Sequence, residues 1–144
     1  MANESLPRSS HKPRTYRFTG ENLDKSHENK HFAVTLATTP NGLYTEPAVI
    51  LVPAAANVTI LGELLEVDVE NKEVAVQVEG RMYLRSDAAY AGGNDNGRSP
   101  ISDTDGTAGI VEGGPLGTKN RIHIDGGGTA EVDGEQVNVL RCWG

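Results

Sequence analysis

Cysteine occurs once, at Cys142. An intrachain disulfide is therefore excluded, and with it the stapled scaffold of many small secreted domains. No apolar run approaches the ~18 residues of a membrane-spanning helix. The opening stretch MANESLPRSSHKPR has no apolar h-region, so no signal peptide is expected. These absences predict a soluble protein made in a cytoplasm, with no membrane partner. Aromatic residues make up 5% and hydrophobic residues 37% of the 144 positions, so the core is modest. Helical periodicity is missing too: Gly, Val, Thr and Asp dominate, and no apolar i, i+3, i+4, i+7 pattern runs beyond about two turns. An all-β fold follows.

Signatures of chemistry are also scarce. The Gly-x-Ser-x-Gly elbow is absent, and Ser99 sits in Gly97-Arg98-Ser99-Pro100 without elbow context. Cys142 has no local activating group beyond Arg141. Gly126-Gly127-Gly128 follows a strand, but no Lys-Ser or helix follows it, so it is no phosphate cradle. Among the histidines (His11, His27, His31, His123), His27 and His31 stand four apart, but on an arm without the helical pattern that would make them a zinc pair. Asp103-x-Asp105-Gly106 resembles part of a calcium loop, with Glu112 at the bidentate position. Ile101 occupies the first ligand position, so the aspartates read as turn formers. Exposed aromatics for a sugar platform come down to Tyr83, Tyr90 and Trp143. The expectation is no enzyme, no metal and no cofactor.

What is present is a β-hairpin from Val58 to Arg85. Val74, Val76, Val78, Gly80, Met82 and Leu84 share one parity; Ala75, Gln77, Glu79, Arg81, Tyr83 and Arg85 share the other. Upstream, Leu65, Val67 and Val69 alternate with Glu66 and Asp68. Such period-2 alternation marks strands with one buried face. Glu70-Asn71-Lys72-Glu73 is the polar turn between them, with Asn71 available for positive φ. Further strands are predicted at 31–38, at Pro47–Val52 as an edge strand bounded by prolines, at 120–124, at 129–132 and at 136–143. Pro40-Asn41-Gly42, Asp125 to Gly128 and Asp133-Gly134 read as turns. Residues 86–118 form the longest irregular stretch, a Gly-rich surface loop with one helical turn at Asp87–Tyr90 and a strand segment at Gly109–Glu112.

Residues 1–31 read as an extended N-terminal arm and 32–144 as a single β domain. The arm holds six basic and four acidic residues, net +2, which leaves −9 for the rest of a chain whose net charge is −7. A basic arm on an acidic body suits an acidic surface, whereas nucleic acid is a poor partner for such a body. Arg14, Tyr16, Arg17 and Phe18 interrupt the polar background of the arm. Arginine and aromatic side chains are common interface anchors, so this cluster reads as a docking strand or as the first strand of the domain.

With RTYRF at 14–18, EVDVENKEVAVQVEGRMYLR at 66–85 and GGGTAEVDGEQVNVL at 126–140 in view, the chain resembles the head-decoration (cement) proteins of tailed bacteriophages. The resemblance implies a small β-barrel, tulip-like or sandwich body with an arm and a long loop. It implies a non-catalytic virion protein on the capsid exterior that locks neighbouring major capsid subunits, as a homo-oligomer (dimer or trimer). Arg14, Tyr16, Arg17 and Phe18 then become shell contacts. Val49, Ile50 and Leu51 become a self-association or shell surface. The alternatives are a freestanding ligand-binding or enzymatic β-barrel covered by residues 86–118, and another virion part such as a tail or baseplate module.

Overall fold

The structure, a computed structural model, describes residues 13–20, 22–40, 47–55, 58–104, 107–115 and 120–144. Ten strands are described: β1 (Arg14–Arg17), β2 (Ala33–Pro40), β3 (Pro47–Leu51), β4 (Gly62–Asp68), β5 (Glu73–Gln77), β6 (Arg81–Ser86), β7 (Pro100–Ser102), β8 (Val111–Gly113), β9 (His123–Val132) and β10 (Glu135–Trp143). They form two five-stranded sheets, ordered β1-β5-β4-β2-β3 and β7-β8-β6-β10-β9. The fold is all-β, sandwich-like, and neither sheet closes into a barrel. The first sheet comes nearest, because its edges β1 and β3 meet in one isolated parallel bridge between Phe18 and Val49. Each sheet is contiguous in sequence: β1 to β5 build the first, β6 to β10 the second.

Each half has its own apolar cluster. Phe18, Leu23, Val34, Val49, Leu51, Leu64, Val67, Val74, Val76 and Val78 pack within the first. Met82, Leu84, Val111, Ile122, Ile124, Leu140 and Cys142 pack in the second, joined by Ala33, Val52 and Ile60 from the first half. Burying such side chains stabilises by roughly 1.5–3 kcal/mol each.

The expected hairpin exists as β4 and β5, paired antiparallel from Glu63↔Gln77 to Asp68↔Glu73. Its turn differs in detail. Lys72 takes the positive φ (56°), and Asn71 instead binds Asp68 through its backbone N (3.1 Å) and Nδ2 (2.8 Å). A register shift between Leu64 and Glu66 breaks the expected parity. Leu64 and Val67 are thus buried, while Val69 is 44% exposed. Downstream, Val74 to Leu84 is not one strand. The chain leaves the first sheet after Gln77, turns at Gly80 (φ 76°) and enters the second as β6. Gly80 and Gly144 exchange backbone hydrogen bonds of 2.8 and 3.0 Å that fix this crossing.

The glycine run is a strand rather than a turn: β9 continues through Gly126, Gly127 and Gly128, paired to Arg141, Leu140 and Val139. A Cβ on Gly126 would meet the Arg141 guanidinium, and one on Gly127 would meet the Tyr90 ring, so both side chains lie flat on bare backbone. The loop at 86–118 contains β7, β8 and a 3-10 turn at Gly92–Asn94, in place of the helical turn expected at Asp87–Tyr90. The proline-bounded segment is an edge strand, β3, as read. The Asn41-Gly42 turn, Asp105 and residues 1–12 of the expected arm lie outside the described residues.

Candidate functional site

From Arg14 onward the expected arm is part of the body. β1 lies at the edge of the first sheet, paired to β5 from Arg14↔Val76 to Arg17↔Glu73. Arg14 is exposed and its Nη2 donates to Glu79 Oε1 at 3.0 Å. Tyr16 and Arg17 are half-buried. Phe18 is buried at 2% exposure, with the Lys72 ammonium 5.7 Å above its ring. Of the three residues read as a surface on β3, Val49 and Leu51 are in the core and Ile50 is half-buried. Phe18, Val49 and Leu51 thus hold the sheet together, with Tyr16 packed against the same cluster, while exposed Arg14 and half-buried Arg17 on β1 and half-buried Ile50 on β3 remain at the two edges.

The other residues weighed for chemistry are structural. Ser99 is fully buried; its Oγ accepts from Asn120 N at 3.1 Å. Ser102 Oγ accepts from Val58 N at 3.2 Å and donates to the Ala55 carbonyl. Burial pushes the Cys142 thiol well up, with Asp125 adding to the effect, and its Sγ donates to Leu140 O at 3.6 Å. A protonated buried thiol is inert. Among the described residues, no three His, Cys, Asp or Glu side chains gather as a metal site.

Three polar arrangements escape the sequence reading. The first joins the two halves. His31 and Glu63 are both fully buried, and His31 Nδ1 lies 2.9 Å from Glu63 Oε2. Glu63 Oε1 accepts from the backbone N of Tyr83 at 2.9 Å. With Glu63 ionised its carboxylate only accepts, and Nδ1 then carries the proton in this contact. Glu63 thereby takes the place of a strand partner for β6. Among the described residues, His31 Nε2 is the one buried side-chain nitrogen or oxygen with no hydrogen-bond partner. The sequence carried a signal for this pair: Glu63 falls on the parity of Leu65 and Val67, where an acid is out of place.

The second is an open cleft of about 730 Å³ on the first sheet. Glu28, Glu66, Asp68, Glu70 and Glu73 line it together with Thr15, Ala75 and Lys25. Two of these carboxylates titrate low. Burial pushes the Glu28 carboxyl up, but hydrogen bonds from Lys25 and from Val67 N hold it below its ordinary value. The Asn71 side chain and backbone hold Asp68 low. The third lies on the second sheet, where Arg81 sits 5.3 Å over the Trp143 ring. Arg81 Nη1 and Arg141 Nε share Asp125 Oδ1 at 3.2 and 3.1 Å. Trp143 is 46% exposed.

What these sites offer is recognition by charge and by sheet edge. Comparison with protein-family models, with curated proteins and with solved structures returns no match for this chain.

Proposed function

We propose that this chain is a non-catalytic structural protein of a tailed-phage virion, a decoration protein on the capsid exterior that cements neighbouring major capsid subunits. The observation that carries the reading is the place of β1. The Arg/aromatic cluster of the sequence sits at a sheet edge with Phe18 as its internal anchor, half-buried Tyr16 packed against the same core, and Arg14 and Arg17 toward the outside. An edge strand held from within and bearing arginine and tyrosine suits docking on another protein. Residues 1–31 carry net +2 on a chain of −7, which suits an acidic shell surface met by the basic end. Ile50, on the opposite edge strand, is the remaining candidate for contact with a second copy or with the shell. Assembly as a dimer or trimer on a lattice multiplies a weak single contact into avidity.

The test is co-sedimentation with expanded phage shells that lack a decoration protein. The wild-type chain pellets with the shells at a fixed ratio, and Arg14→Glu/Arg17→Glu leaves it in the supernatant with an unchanged circular dichroism spectrum. A wild-type protein that stays in solution, or a double variant that pellets like wild type, defeats the reading.

A further inference from the structure

Residues 24–31 read Asp-Lys-Ser-His-Glu-Asn-Lys-His, with no aliphatic, Phe, Tyr or Trp side chain. They nevertheless run along stretches of two inner strands that the neighbouring strand leaves unpaired: β2 pairs β4 only at Gly62 and Glu63, and β8 pairs β6 only at Ser86. At β4, Asn29 N donates to Leu65 O (2.8 Å), Lys25 Nζ to Val67 O (3.0 Å), and Val67 N to Glu28 Oε2 (2.8 Å). At β6, Arg85 N donates to His31 O (2.7 Å), and His31 Nδ1 meets the same Glu63 carboxylate that accepts from Tyr83 N. Lys30 Nζ reaches Asp133 Oδ2 at 2.8 Å, in the turn between β9 and β10. The segment thus stands in for a missing strand on each sheet.

It is internally braced. Asp24 Oδ1 accepts from Ser26 N (2.8 Å), His27 Nδ1 accepts from Asp24 N (3.1 Å), and Glu28 N donates to Lys25 O (3.2 Å), closing a 3-10 turn at Lys25–His27. Its neighbours on both sides are fixed in the cores, Leu23 in the first cluster and Ala33 in the second. Left-handed backbone marks its margins, at Asn22 (φ 48°), Asn29 (φ 55°) and His31 (φ 66°). Non-glycine residues hold such angles against a steric cost. Opening the segment exposes no hydrocarbon side chain of its own, and it returns His31, Glu63 and the orphaned Nε2 to water, where all are satisfied.

We propose that residues 24–31 are a removable strap, which opens as one cooperative unit while both sheets stay folded. Opening bares the backbone of Leu65 and Val67 on β4 and of Arg85 on β6. Unpaired main-chain donors and acceptors of this kind recognise an extended polypeptide. The strap is independent of the shell-binding reading, since it uses neither Arg14 nor Arg17.

Native-state amide hydrogen exchange followed by NMR tests this on the full chain, wild type and Glu28→Ala. The amides of Asn29 and Arg85 are expected to share one opening population, exchanging at least about tenfold faster than the amides of β10, as sub-global opening requires. The Glu28 side chain bonds neither amide; it bonds Lys25 Nζ and Val67 N. In Glu28→Ala both accelerate together, by about tenfold for a loss of 1–2 kcal/mol. Exchange of both at the rate of the β10 amides overturns the proposal, because the strap then opens only with the whole molecule. Acceleration of Asn29 alone, with Arg85 unmoved, also overturns it, because the two ends are then uncoupled.

Discussion

Replacing Glu63 by alanine removes the acceptor from two buried donors at once, the Nδ1–H of His31 and the backbone N–H of Tyr83. Leaving a buried donor unpaired costs about 1–3 kcal/mol. Two of them, plus the space vacated by four heavy side-chain atoms, put Glu63→Ala near 4 kcal/mol, within the ~3–5 kcal/mol seen when one partner of a buried pair is deleted. A domain with a total stability of about 5–15 kcal/mol feels that as a large loss. Glu63→Gln is the control. Its amide oxygen still accepts from Tyr83 N, and its NH2 donates to Nδ1 once His31 adopts the other tautomer. That variant loses about 1–2 kcal/mol, because Nε2 then carries a hydrogen with no acceptor in the fold. Equilibrium urea unfolding followed by far-ultraviolet circular dichroism gives both numbers, and His31→Ala with the double variant completes a cycle. The expected coupling between the two side chains is about 1.5–3 kcal/mol, in the range of residues in direct contact. A loss below about 1 kcal/mol for Glu63→Ala, or a coupling near zero, refutes the reasoning: the carboxylate would then not tie the sheets together.

Other predictions follow from backbone clearance, burial and titration. Gly62→Ala drives a methyl onto the Gln77 carbonyl, a backbone group that cannot step aside, whereas Gly128→Ala meets nothing within 4 Å. Thermal melts should show Gly62→Ala lower by about 1–3 kcal/mol and Gly128→Ala within about 0.5 kcal/mol of wild type. Equal melting points for the two would mean that β4 is not held this close to β5. Cys142, buried with its thiol shifted upward, should resist iodoacetamide at pH 8 in the folded protein and react fully in denaturant; rapid native labelling would contradict its burial. Asp24, Glu28 and Asp68 all titrate below their ordinary values of 3.8, 4.5 and 3.8 in the folded chain. The folded state therefore binds fewer protons than the unfolded one in this range, and the stability these groups add is present above about pH 4.5 and lost as pH falls through their folded values. Melting temperature between pH 6 and 3 should fall less steeply for Glu28→Gln than for wild type; parallel slopes would remove Glu28 from the acid limb.

The alternating stretch that made β4 and β5 legible did so through local physics, since period-2 patterning and a polar turn need nothing beyond neighbours, but the same patterning ran β5 and β6 together as one strand although they belong to different sheets. Edge placement of β3 was legible for a similar reason, because proline cannot donate to a ladder. The misreadings arise where tertiary contact decides. The bulge that exchanges Leu65 for Leu64 on the buried face depends on how β4 pairs with β5. The triplet Gly126-Gly127-Gly128 has the composition of a turn, and only the Arg141 and Tyr90 side chains close against Gly126 and Gly127 explain why glycine is needed at those two strand positions. Phe18, Val49 and Leu51 look like surface anchors in an extended segment and become core once the two edges of the first sheet approach. His31 and Glu63 are 32 positions apart, and no spacing rule joins them.

The division of the chain into two consecutive sheets has a consequence for synthesis. Every strand of the first sheet has left the ribosome once Gln77 has emerged, so that half can begin to pair while the rest is still being made. The second sheet has no such freedom. Its inner strand β10 is its last, and it supplies the partner for both β6 and β9. From β6 to β10 the nascent chain carries Met82, Leu84, Ile122 and Ile124 without the strand that covers them. That interval is when this protein is most exposed to wrong pairing, and a chaperone that recognises nascent apolar strands would find its target there.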